Sequence, residues 1–274
     1  MGVIKELDAD KILASIFIPP RPTILFSIKK AQDQDADLSE IADLIAQDIG
    51  LSAAILKTIN SAFYGLADKV TSLTHAVSLL GMKNTTMLIT GLSLRKIPTS
   101  VNLDVFWNHS AEVASIAAFI AQQLGSINKD EAQLFGLFHD CGKVLLTSRF
   151  KDYQDLLTTA QNEDQSIIVL EKQRYMTDHT LAGSLLSKSW CLPERISLAV
   201  RHHHDIALFL DGSIPDQVFS LVALVHLAEY LAPKNTHYMD SEWLRYADEF
   251  MECLFINDDE LTDLHWQVSQ IQKH

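Results

Sequence analysis

From Leu38 onward apolar residues return at steps of three and four, and on five such stretches the apolar side also carries a histidine or an acid. His109 continues to Val113, Ile116, Ile120 and Leu124. His139 lines up with Phe135, Gly142 and Leu146, and Asp140 flanks that stripe beside Gly136, Lys143 and Thr147. His179 shares a face with Ala182, Gly183, Leu186 and Trp190. His203 goes with Ile196, Ala199 and Val200, and Glu229 continues Val218, Val222 and Val225. A polar side chain on a buried face is costly unless it is paired. A lone case is ordinarily a core histidine bonded to a backbone carbonyl. Five helices with this property constrain the fold far more, because convergence on one metal centre satisfies every group together. Imidazole and carboxylate suit Fe, Mn, Ni or Zn.

The predicted fold class is therefore all-α. No hairpin dipeptide separates alternating runs, so strands are not expected. Helices are expected from Leu38 to Asp48 with Ser39 as cap, from Leu51 to Ala62 with a stop near Gly65, from Thr71 to Leu80, and from Met82 to Lys96. Ile18-Pro19-Pro20-Arg21-Pro22 separates a first helix from this group. Pro98 and small polar residues mark a boundary after which histidines become frequent; before it only His75 occurs. Two packed helical subdomains are expected, 1–98 and 99–235, followed by a helical extension over 236–274. Within that extension Trp243 to Phe255 reads as an amphipathic helix, and Asn257 to Asp263 as the solvated start of the last one.

The net charge of −13, without a basic stripe, repels phosphate backbones, so binding to a nucleic-acid polymer is not expected. Three widely spaced cysteines, Cys141, Cys191 and Cys253, suggest neither disulfides nor a zinc ribbon. No signal-peptide core, myristoylation pattern or bilayer-spanning run is visible. A cytoplasmic protein with no membrane partner is the expectation.

Leu137-Phe138-His139-Asp140-Cys141-Gly142-Lys143 is the sharpest segment. Adjacent residues on a helix point about 100° apart. His139 and Asp140 can thus share a metal only if it sits over the edge between them. Gly142 admits a neighbouring helix. Lys143 lies one turn on; it either holds a phosphate oxygen or is a solvated partner of Asp140 at i, i+3.

His139-Asp140 with His109 upstream resembles the HD superfamily of metal-dependent phosphohydrolases. The rest of the chain, over about residues 10–235, resembles its HDOD branch of signalling-output domains. The likeness runs through Ile18 to Pro22, Ser39-Glu40-Ile41-Ala42, Asp48, and Leu51 to Gly65 with Asn60-Ser61-Ala62. It continues through Ser72-Leu73, Ala76-Val77, Leu80-Gly81, Phe106-Trp107 to Ala114, His179 to Gly183, Trp190-Cys191-Leu192-Pro193 and Arg201 to Asp205.

The resemblance implies that the second subdomain is an HD-like helical bundle with His109, His139 and Asp140 as the first metal ligands. His179 and the pair His203-His204 match histidines that support a second metal; His202 leaves the register open by one. The last ligand, normally Asp after Ala, is here Glu229 after Ala228. The GYP motif is missing, which argues against a cyclic-di-GMP phosphodiesterase. The implied function is a regulatory, signal-transducing module with one or two divalent metals, acting through a signalling protein partner. The alternative is a metal-dependent phosphohydrolase acting on a nucleotide or phosphoester, with Asp140 orienting water and Lys143 binding phosphate. Asn60 to Gly65 is read as a helix C-terminus with Gly65 as its left-handed cap. His75, His226, His237, His265 and His274 are read as ordinary histidines.

Overall fold

Apolar residues at helical spacing become helices throughout the computed structural model, with no strand among the described residues. The structure describes residues 16–271, apart from 62–63, 67, 98, 100–101, 163–164 and 233–240. The expected first helix before Ile18, and Ala62, Pro98, His237 and His274, lie outside the described residues. Two compact units form: residues up to Pro20 with Ile97–Thr262, and Arg21–Lys96 with the residues from Asp263 on. No helix among the described residues is long and apolar enough to cross a membrane.

The unit containing Arg21–Lys96 holds α1 (Thr23–Asp33), α2 (Leu38–Ala46), α3 (Ile49–Ile59) and α4 (Leu73–Leu94). Ile28, Ile41, Ile45, Ile55 and Ile59 form its core with Val77 and Ile89. The α2 cap is Asp37 rather than Ser39. Its carboxylate accepts from the Ser39 and Glu40 amides at 2.8 and 2.9 Å, while Ser39 already lies inside the helix. The expected helix after Leu51 starts two residues earlier and stops at Ile59, because Asn60 leaves the helix at φ −86° and ψ 5°. The Asn60 side chain donates to the Leu56 and Val70 carbonyls and accepts from the Val70 amide, all at 2.7 Å. Gly65 has φ +57° but lies in the following loop, so it does not cap that helix. The break expected at Gly81 is a kink within α4, with φ 73° and ψ 170°.

The other unit carries α5 (Asp104–Leu124), α6 (Lys129–Phe138), α7 (Cys141–Arg149), α8 (Tyr153–Asn162) and α9 (Ile167–Tyr175). It continues with α10 (His179–Ser189), α11 (Glu194–His202), α12 (Ile206–Leu210), α13 (Asp216–Leu231) and α14 (Ser241–Leu254). Helix α15 (Asp258–Ile271) begins in this unit, where Asn257 and Glu260 cap each other's amides, and its residues from Asp263 on belong to the Arg21–Lys96 unit. Helix α5 packs on α6 and α13, and α10 packs on α7 and α11. Helix α13 is apolar on nearly every side and buried. Each fully buried aliphatic side chain there contributes about 1.5–3 kcal/mol, which fixes the position of Glu229 in its last turn. The Trp190 indole donates to the Pro19 carbonyl at 3.0 Å. All three cysteines are unpaired.

Candidate metal centre

Most of the gathered polar residues sit at helix ends rather than on mid-helix faces. His139 follows the last residue of α6, and Asp140, at φ −103° and ψ 10°, precedes α7. The two were expected within one helix; the chain instead turns between them, which lets both point to one side. His179 opens α10 behind its cap Asp178, whose carboxylate accepts from the Leu181 amide at 2.8 Å. His203 and His204 follow α11. His109 on α5, Lys143 on α7 and Glu229 on α13 come from within helices. Gly142 permits this arrangement: a Cβ there would lie 1.8 Å from the His179 carbonyl oxygen.

The side chains form two groups that share Asp140. One is Asp140, His179, His203 and His204; the other is His139, Asp140 and Glu229, and within each group the candidate ligand atoms lie within 4.8 Å of one another. Asp140 Oδ1 is 3.2 Å from His179 Nε2 and 3.7 Å from His203 Nε2. Its Oδ2 is 3.4 Å from His139 Nε2 and 2.5 Å from Lys143 Nζ. Glu229 Oε1 stands 3.2 Å from His139 Nε2 and 3.7 Å from His109 Nε2. His202 joins neither group; it faces Asp205 at 3.3 Å. Of the three consecutive histidines, the geometry gathers His203 and His204 beside Asp140.

The ring nitrogens are sorted. His139 Nδ1 bonds the Gly136 carbonyl at 2.8 Å, and His203 Nδ1 the Val200 carbonyl at 3.0 Å. His179 Nδ1 bonds Glu171 at 2.9 Å, and His204 Nδ1 bonds Glu242 at 3.0 Å. With Nδ1 donating, each Nε2 carries a lone pair. The Nε2 atoms of these four rings, and Asp140 Oδ1, are buried and have no aligned hydrogen bond. Lone pairs facing carboxylate oxygens in a dry interior repel one another unless a proton or a metal ion lies between them. These orphaned atoms fit a divalent metal of the imidazole- and carboxylate-binding kind.

Without a metal, protons fill part of that role. Burial opposes a charged His139, but Asp140 and Glu229 outweigh it and raise its pKa to about 10. Burial likewise opposes charge on His179, and Glu171 with Asp140 raises it to about 9. His203 goes the other way, held well below the usual range by burial and by His204. Burial disfavours the charged forms of Asp140 and Glu229, yet Lys143 and His139 hold the first, and His139 and His109 the second, well below the carboxylate range.

Two acids outside the expected set hydrogen-bond these histidines. Glu171 is fully buried; it accepts from the Tyr153 hydroxyl and from the His179 amide at 3.0 Å as well as the His179 ring. In sequence it reads as a solvated helix acid, and only its place eight residues before His179 hints otherwise. Glu242, 38 residues from His204, has no local signal at all. His226, read as an ordinary core histidine, bonds the His203 carbonyl at 2.8 Å and stands 3.6 Å from Glu229 Oε2, and His75 and His265 are exposed.

The fold and the clustered donors define an all-helical protein with an HD-like His/Asp centre. The HDOD domain signature spans residues 18–206, and the chain belongs to the HDOD family. It is 28% identical over 212 residues to an uncharacterised protein of Treponema pallidum (strain Nichols), covering 73% of this chain and 41% of that one. The chain thus spans less than half the length of this relative. An HDOD domain protein from Geobacter sulfurreducens shares its fold at TM-score 0.72 and 24% identity, over 97% of both chains. A candidate phosphohydrolase from Shewanella amazonensis SB2B matches at TM-score 0.72 and 20% identity, over 98% of this chain and 96% of the other. A candidate signal-transduction protein from Marinobacter aquaeolei VT8 matches at 0.63 and 18%, over all of this chain and 63% of that one.

Proposed function

We propose that the chain is a signal-transducing HDOD module whose His/Asp centre holds a divalent metal, one ion or two, and that it acts mainly through a signalling protein partner. The observation that carries the metal is the set of buried Nε2 atoms facing Asp140. The regulatory reading is supported by Lys143. Its ammonium lies 2.5 Å from Asp140 Oδ2, and both side chains are buried. The cation that a phosphoester would need is thus engaged by a ligand carboxylate. Bound metal stabilises the folded state by mass action and requires no turnover to do so.

The second reading, a metal-dependent phosphohydrolase acting on a nucleotide or phosphoester, is favoured by the completeness of the donor set. In it His109, His139, Asp140 and Glu229 would hold an ion, which would supply Lewis-acid chemistry toward a phosphoryl group. Asp140 orients the attacking water. Lys143, released from Asp140, holds a phosphate oxygen.

The two readings separate in one assay. The protein is loaded with Mn, Fe, Ni or Zn and offered nucleotides, cyclic dinucleotides and a generic phosphoester. Metal uptake without turnover is expected. Turnover near about 1 s⁻¹ that Asp140→Ala abolishes would contradict the regulatory reading.

A further inference from the structure

Among the four histidines with sorted rings, His204 is held differently. His139 and His203 bond carbonyls one turn back on their own chain segments, and His179 bonds Glu171 on the preceding helix α9. The acceptor for His204 is Glu242 Oε1, 3.0 Å away on α14. That helix lies past residue 206, where the HDOD signature ends.

Packing delivers Glu242 to this place. Its neighbour Trp243 is buried and stacks on Tyr230 at 5.2 Å and 19°. Phe250, about two turns further along, stacks on His226 at 5.0 Å and 13°. Tyr230 and His226 belong to α13, the helix that carries Glu229. At the opposite edge of the His204 ring, Nε2 is buried without a hydrogen bond, within 4.8 Å of the ligand atoms of Asp140, His179 and His203. An imidazole without a partner on Nδ1 can change tautomer or turn its ring. A carboxylate on Nδ1–H fixes both and makes Nε2 a stronger donor to a cation.

We infer that Glu242 is a positioning residue of the metal centre: it fixes His204 as an Nε2 ligand and makes the C-terminal helix α14 part of the site. This rests on the metal reading above. The link is reciprocal, so an ion on His204 also tightens the hold of Glu242 and α14 on the bundle. The occupancy of a buried centre thereby reaches a helix beyond residue 206, where the matched HDOD signature ends.

The test uses the full chain without a histidine tag, stripped of metal, with Mn or Zn titrated alone by calorimetry. Glu242→Ala is expected to bind about tenfold more weakly or worse. Glu242→Gln keeps an oxygen that accepts from Nδ1–H and should lose less. Asp248→Ala removes one charge from an exposed position of the same helix and should bind as wild type. In the metal-free protein, ring ¹⁵N shifts should give His204 as the Nδ1–H tautomer, and Glu242→Ala should lose that preference. Wild-type affinity in Glu242→Ala, or an equal loss in Asp248→Ala, would overturn the inference while leaving the metal reading intact. A wild-type protein that takes up no metal would end both.

Discussion

His179 turns Nε2 toward Asp140 Oδ1 at 3.2 Å while Glu171 grips its other nitrogen at 2.9 Å. This geometry has a pH signature in the metal-free protein. His179 is raised to about 9 and His139 to about 10, both above the usual 6.5, because their carboxylate neighbours outweigh burial. A pKa raised on folding contributes stability that is full below the unfolded value and is lost as pH rises through the folded one. The urea midpoint of metal-free protein should therefore fall from about pH 7 to pH 10. Saturating Mn or Zn should flatten that decline, since the ion replaces the protons. A metal-free midpoint that stays level or rises across the range would contradict the assignment.

Lys143 and Asp140 form a buried pair, 2.5 Å apart. Removing one partner of such a pair leaves an uncompensated charge and costs about 3 kcal/mol. Lys143→Met should lose roughly that much stability without metal, read by denaturant titration. A divalent ion should restore most of it by neutralising Asp140. A Lys143→Met protein as stable as wild type, or one that metal does not rescue, would show that the ammonium does not share the site's electrostatic role.

In the Arg21–Lys96 unit, Asn60 clasps Val70 through both its amide and its carbonyl, each at 2.7 Å. Asn60→Ala leaves these backbone groups unpaired and should destabilise by about 1–3 kcal/mol. Gly65 at φ +57° has open space around it, so Gly65→Val meets backbone strain rather than a clash and should cost about 1–2 kcal/mol. Neither change should alter metal affinity. Unchanged stability in both variants would remove the structural role assigned to this loop.

Local chemistry made some of these features legible and left others hidden. Gly81 announced its kink because a residue without Cβ between two apolar periods is the natural place for φ > 0. The inward faces of α5 and α13 were readable from periodicity, and His109 and Glu229 with them. His139 and Asp140 shared that periodicity with their neighbours, so nothing revealed the helix break between them. Asp37 and Ser39 are both competent caps two residues apart, so local chemistry alone does not choose between them. Glu171 and Glu242 were hidden for another reason. Their role depends on tertiary contacts to His179 and His204, and an isolated helix acid looks the same whether it meets solvent or an imidazole.

The most direct test is the metal itself. Untagged wild-type protein should carry or take up Mn, Fe, Ni or Zn, measured by elemental analysis and by calorimetry after stripping. Asp140 belongs to both ligand groups, so Asp140→Ala should lose that uptake. Helical content in the variant, checked by circular dichroism, identifies a folded protein. Stoichiometric metal in wild type and none in folded Asp140→Ala is the expected result. A wild-type protein that binds no divalent ion, or a folded Asp140→Ala variant that binds as tightly as wild type, would contradict a metal centre built on Asp140.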